Sequence, residues 1–129
     1  KVHDCCFTTG CRPMMFGNNT QVFIAINPVD MRKSINGLSS LVAGEFSRNP
    51  LTDGLFVFSN SSRKIIKVLY WHFNGFCLWQ KRLEKGRFIW PANREEVLSV
   101  GIRELGWLVE GLNINQLKAH KQLGFNQVY

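Results

Sequence analysis

Ile65–Leu83, IIKVLYWHFNGFCLWQKRL, decides how this chain folds. Two runs rich in β-branched and aromatic residues flank Asn74-Gly75, the dipeptide that most readily supplies the positive φ angles of a type I′ turn. The segment therefore predicts a β-hairpin. With Asn74-Gly75 as a two-residue loop, opposed residues share a face. Phe73 then lies opposite Phe76, Trp71 opposite Leu78, Leu69 opposite Gln80 and Lys67 opposite Arg82. The other face sets His72 against Cys77, Tyr70 against Trp79, Val68 against Lys81 and Ile66 against Leu83. That second face is almost wholly apolar and is the expected core. On the first, like charges directly opposed are destabilising, so Lys67 against Arg82 asks for an anion.

Outward from the hairpin, a turn at 84–86 leads into RFIWP (87–91), read as a third antiparallel strand ended by Pro91. If Lys85-Gly86 is again a two-residue loop, Glu84 pairs with Arg87, Leu83 with Phe88 and Arg82 with Ile89. Upstream, GLFVFS (54–59) is apolar throughout, as a central strand should be. QVFIAI (21–26) is a further strand, closed by Asn27-Pro28. Between them Asp30 is a good N-cap, and Met31, Ile35, Leu38, Leu41, Val42 and Phe46 recur at helical spacing until Asn49-Pro50. Downstream, REEVLSV (94–100) is a connector with a short extended piece, and Ile102, Leu105, Leu108, Val109 and Leu112 give a C-terminal helix. The tail offers one weak helical pattern through Ile114, Leu117 and Lys121. The expected fold class is α+β: an antiparallel sheet, a meander of about four to five strands, with one helix packed on a face and a second at the C-terminus. Residues 1–15 read as an extension foreign to the domain, 16–112 as the domain and 113–129 as a tail.

Sixteen Lys and Arg stand against 9 Asp and Glu, a net charge of +7. No apolar run approaches the ~20 residues of a membrane span, so a soluble, cytoplasmic protein with no membrane partner is expected. The surplus favours a polyanion, nucleic acid before acidic protein before anionic lipid. It is also concentrated. From Arg63 to Arg87 there are seven cations (Arg63, Lys64, Lys67, Lys81, Arg82, Lys85 and Arg87) and one acid, Glu84. A second group, Arg32 and Lys33 of DMRK, falls in the first turn of the expected helix, where cations are unfavourable but where a phosphate is well received. The candidate DNA-contacting residues are therefore Arg32, Lys33, Arg63, Lys64, Lys67, Lys81, Arg82 and Arg87, touching phosphate and setting position instead of sequence. Trp71 and Phe76 share their face and offer stacking surfaces. If exposed, Trp71, Phe73 and Phe76 would instead anchor a protein partner.

Catalytic chemistry is thinly represented. The nine acids do not form the spaced carboxylate set of metal-dependent nucleases. His72 opposite Cys77 invites a nucleophile–base reading, but such a strand pair is more often structural. Cys5, Cys6 and Cys11, with His3, lack the spaced pairs of a zinc site. No phosphate-binding glycine loop occurs. No metal or cofactor is expected, and an enzyme such as a nuclease is the least favoured class.

Four stretches carry a resemblance: VDMRKSINGLSSLV, LFVFSN, IKVLYWHFNGFCLWQKRLEKGRFIWP and WLVEGL. In that order and separation they resemble the small TnpB-like accessory protein, the second open reading frame, of the insertion-sequence-66 family of bacterial transposable elements. The resemblance runs from Phe16 to about Leu112. It implies a non-catalytic protein required for transposition, encoded beside a transposase and a helix-turn-helix protein, which become the implied partners along with DNA. It supplies no catalytic residues. Residues 1–15 depart from the family pattern, and His72-Phe73 replaces a more acidic, glycine-rich approach to the hairpin turn.

Overall fold

The computed structural model describes residues 2–3, 20–51 and 54–114. In chain order the elements are β1 (Val2–His3), β2 (Gln21–Ala25), α1 (Ile35–Gly44), β3 (Leu55–Ser59), β4 (Ile65–His72), β5 (Gly75–Arg82), β6 (Val97–Gly101) and α2 (Ile102–Val109). The strands form one sheet in the order β1-β5-β4-β3-β2-β6. The fold is α+β, as expected, with a mostly antiparallel sheet. The pairing of β2 with β3 departs from that pattern: Phe23 lies beside Phe56 in a parallel ladder. A strand, a helix and a strand in succession require this, because α1 carries the chain back to the starting end.

The hairpin forms, one residue out of the expected place. Its loop is Phe73-Asn74, with His72 opposite Gly75, Trp71 opposite Phe76 and Lys67 opposite Gln80. Moving a loop by one residue displaces every cross-strand partner by two, and a displacement of two leaves each side chain on its original face. The face assignments therefore hold while the pairs change. Arg82 is opposite Ile65, so the direct Lys67–Arg82 repulsion does not exist.

Alternation divides the sheet into two apolar faces. Val22, Ile24, Leu55, Val57, Ile66, Val68, Tyr70 and Trp79 form one, buried with Leu105, Leu108 and Val109 of α2 and with Phe88 and Ile114. Phe23, Phe56, Phe58, Leu69 and Leu78 form the other, buried with Leu38 and Val42 of α1. Both faces of the hairpin are thus core at mid-strand, where a single buried face was expected.

RFIWP is not a strand. From Leu83 the chain crosses from β5 to the far edge of the sheet as an irregular connector. Phe88 N–H donates to Arg63 O at 2.7 Å, and the Trp90 indole N–H donates to Ala25 O at 2.9 Å. The apolar residues that mimic a strand are anchors for this crossing. α1 also begins later than expected. Its N-cap is Ser34, so DMRK precedes the helix.

Candidate nucleic-acid interface

Every segment that carries the candidate cations ends at one end of the sheet. β2 and β3 finish there, β4 and β6 begin there, and β5 finishes there. The turn after β2 brings Arg32 and Lys33, the turn before β4 brings Arg63 and Lys64, β5 ends in Arg82, and the connector after it brings Arg87.

Three of the candidates are bound within the domain. Lys67 leaves mid-β4 on the α1 face and is only 8% exposed. Its ammonium donates to Met31 O at 2.8 Å and Lys33 O at 3.1 Å, tying the DMRK turn to the sheet. Burial pulls its pKa below the ordinary lysine value, and the Asp30 carboxylate opposes that shift. Arg63 donates from Nη2 to Ile26 O at 2.8 Å and lies with its Cζ 5.0 Å from the centre of the Trp90 ring. Lys81 donates from Nζ to Val109 O at 3.1 Å, at the C-terminal end of α2, where the helix dipole favours a cation. An inward lysine flanked by apolar residues in a strand was the available signal for the Lys67 role, had both faces been recognised as core.

The remaining candidates are exposed. Asp30 does not cap a helix. Its carboxylate accepts the Arg32 backbone N–H at 2.9 Å and chelates the Arg32 guanidinium, with Nη2 at 2.8 Å from Oδ2. Those bonds hold the Asp30 carboxyl at a pKa of about 2, from an ordinary 3.8. Lys33 is exposed beside this clasp. The two cations thus lie ahead of the helix and escape the penalty of its first turn. Lys64 is turned out of a tight bend in which Asn60 Oδ1 accepts the N–H groups of Lys64 and Ile65. Arg82 shares the α1 face with Lys67, a diagonal neighbour across the ladder at about 7–8 Å between backbones, and is exposed with Glu84 at 3.3 Å. Through Lys67 the DMRK turn is tied to β4, the strand that pairs with β5. Lys85 and Arg94, in the connector after β5, are exposed as well. Both were left out of the candidate set; their place beside Arg82, Arg87 and Glu96 was the signal.

The same end holds a hollow of about 240 Å³ lined by Ala25, Pro28, Leu41 and Phe46 with Asp30, Lys33, Glu45 and Glu96. Asp30, Glu45 and Glu96 make this hollow acidic, with Lys33 the one cation among the described residues of its lining.

Trp71, Phe73 and Phe76 lie at the opposite end. Trp71 and Phe76 pack edge to face at 5.0 Å and share the α1 face with Arg82, but six residues along β5, roughly 20 Å at 3.3 Å per residue. Trp71 is 37% exposed and Phe73 is 86% exposed. The aromatic tip and the cations therefore form two sites.

The His72–Cys77 pair does not form directly: Tyr70 is the partner of Cys77. Tyr70 is pushed up to about 12 by burial, with a smaller contribution from Cys77. Among the described residues no group of three or more His, Cys, Asp or Glu could hold a metal ion, and no helix is long and apolar enough to cross a membrane. Cys5, Cys6 and Cys11 lie outside the described residues.

No solved structure matches the chain. Two uncharacterized proteins of Sinorhizobium fredii (strain NBRC 101917 / NGR234) do. The first, y4hO, is 35% identical over 97 residues, covering 75% of this chain and 84% of that protein. The second, y4jC, is 33% identical over 98 residues, covering 76% and 84%. The family model described as IS66 Orf2 like protein matches residues 20–119, which takes in both helices, all the strands from β2 onward and the whole basic end. The chain belongs to the IS66 Orf2-like family, and with it to the accessory proteins of transposition.

Proposed function

We propose that this protein serves transposition by gripping the DNA backbone with the basic end of its sheet. Arg32, Lys33, Lys64, Arg82 and Arg87 make the phosphate contacts, aided by Lys85 and Arg94. Lys67 and Arg63 act indirectly, as struts that hold the contacting turns in place. The supporting observation is the Lys67 ammonium on the carbonyls of Met31 and Lys33, which fastens the DMRK turn to β4, the strand whose ladder with β5 ends in Arg82. Cations delivered by separate segments then face one partner.

Duplex binding measured against salt tests this reading. Five neutralised phosphates give a slope of log K against log salt near about −4.5, at −0.9 for each. An Arg82→Ala/Arg87→Ala variant should flatten that slope by about 2. A salt-independent affinity, or wild-type behaviour of the double variant, overturns the proposal.

A second reading, an adaptor that docks on the transposase or its helix-turn-helix partner without touching DNA, is favoured by the exposure of Phe73. Co-purification after nuclease treatment separates the two. A complex that survives nuclease and moderate salt yet is lost in Trp71→Ala/Phe73→Ala supports the adaptor, and one that dissolves on digestion supports the DNA reading.

A further inference from the structure

β6 is an edge strand: among the described residues it pairs with β2 and with no other strand. Native edges are usually blunted by charge, proline or a bulge. Val97–Gly101, VLSVG, carries no charge and no proline, and its five-residue register with β2 is unbroken. Ile26 N–H donates to Glu96 O at 2.9 Å. Antiparallel pairing alternates, so Glu96, Leu98 and Val100 direct their backbone groups at β2 while Val97 and Ser99 direct theirs outward. Gly101 is spent, since its N–H donates to the Glu104 carboxylate at 3.0 Å.

We propose that this edge, with the adjoining surface of α2, is a two-fold interface with a second copy of the chain. With the dyad at Ser99, the two Ser99 residues exchange N–H···O bonds. Beyond Gly101 the chain turns into α2, so the paired edge is limited to Val97–Gly101 of each copy. Above the sheet α2 meets its copy antiparallel. Leu105, Leu108 and Val109 are buried in their own core and Trp107 packs partly against it, leaving Arg103, Gly106 and Glu110 along the outward side of the helix. Antiparallel contact centred on Gly106-Trp107 brings Arg103 toward Glu110 of the second copy. Glu110 of each copy thus meets the arginine of the other.

Two features of the chain suit such a contact. Arg103 and Glu110 are exposed and of opposite charge, and neither has an ion pair among the described residues. Gly106, unfavourable in a helix interior, has nothing within 4 Å of the position a Cβ would take, so the packing of the chain on itself does not require it. A neighbouring helix approaching closely at that point does. The dyad reverses strand direction and points the two basic ends away from each other; this one consequence rests on the DNA reading, whereas the interface does not.

Sedimentation equilibrium in reducing buffer without nucleic acid is the test. The wild-type chain should reach twice 14.8 kDa with rising concentration, and a mass fixed at 14.8 kDa overturns the interface. Ser99→Pro removes an outward N–H that the β2 ladder does not use. It should weaken dimerisation by roughly 30-fold, about 2 kcal/mol at 1.4 per tenfold, with the thermal midpoint of the monomer lowered only slightly by loss of the exposed bond from Gln21 Nε2 to the Ser99 hydroxyl. Arg103→Glu should also weaken it, and Arg103→Glu/Glu110→Arg should restore part of the loss. Should Ser99→Pro not fold, this charge exchange decides alone. A dimer indifferent to Arg103→Glu and to every folded Ser99 variant overturns the assignment.

Discussion

At the basic end of the sheet, Lys67, Arg63 and Lys81 each reach from a strand or turn to a backbone carbonyl in another segment. At the hairpin end the fastening is done by the backbone itself. Gly54 takes a φ of 127°, and a Cβ there would lie 2.3 Å from the Gln21 carbonyl oxygen, so the start of β3 is pressed against the start of β2. Phe73 takes a φ of 56°, a conformation that L side chains other than Asn and Asp rarely adopt. The contrast teaches how to read a basic surplus. Cations that meet carbonyls inside the fold are struts, and a count of basic residues overstates what is left to meet an anion.

The largest effect should come from breaking the backbone end. Gly54→Ala combines a forbidden φ with a collision against main chain, which no rotamer change relieves. A loss of about 3 kcal/mol in urea-derived stability is expected. A loss below about 1 kcal/mol would mean that β2 and β3 can separate at this point.

The strut end breaks next. Lys67→Met keeps the aliphatic stem but strands the carbonyls of Met31 and Lys33. Hydrogen bonds from a charged donor contribute about 1.5–3 kcal/mol each, and the desolvation of a buried ammonium offsets part of that. A loss of about 2 kcal/mol is expected, accompanied by weaker DNA binding at unchanged salt slope, since no phosphate contact is removed. A fall in slope by a full contact would instead make Lys67 a direct ligand.

Phe73→Gly sharpens the comparison by reversing the sign. Glycine accepts a positive φ freely, and relief of the left-handed backbone is worth about 1 kcal/mol. The Phe73 ring has little to lose, being 86% exposed and packed chiefly against His72 with centroids 4.2 Å apart. A higher melting temperature together with failed partner capture would show that this aromatic is kept for a surface outside the chain.

How much of this was readable beforehand follows from what each signal depends on. The faces of β4 and β5 were readable because alternation is local and survives a two-residue displacement. The loop position was not, because the observed register sets Leu69 against Leu78 and Val68 against Trp79, both pairs buried in the two cores, and that packing outweighs the turn preference of Asn74-Gly75. RFIWP misled because apolar alternation cannot tell a strand from a connector that anchors Phe88 and Trp90. The parallel β2–β3 pair was implicit in the strand–helix–strand order, which forces it. The split of the cations into struts and free charges depends on Met31, Ile26 and Val109 carbonyls brought from 28 to 37 residues away, and no local pattern encodes those approaches.

The smallest effect concerns the clasp that opens the basic end. The Arg32 guanidinium and backbone N–H hold Asp30 at about 2, below the 3.8 of an unconstrained carboxyl. A carboxylate with a depressed folded pKa stabilises fully above its unfolded value, and its contribution is lost as pH falls from 3.8 toward 2. The pair is solvent-exposed, so the stability term is slight, but the clasp also aims Arg32. Asp30→Asn should therefore leave stability at neutral pH nearly unchanged and remove a small part of its fall between about pH 4 and pH 2. It also releases a guanidinium to the anion. Duplex affinity at neutral pH should rise slightly, because the guanidinium is no longer shared with a carboxylate, while the salt slope stays near about −4.5, Arg32 being one of the five contacts already. A slope steeper by about 0.9 would instead show that the clasp keeps Arg32 off the phosphate in the wild type, leaving Lys33 as the sole cation that DMRK contributes to the interface.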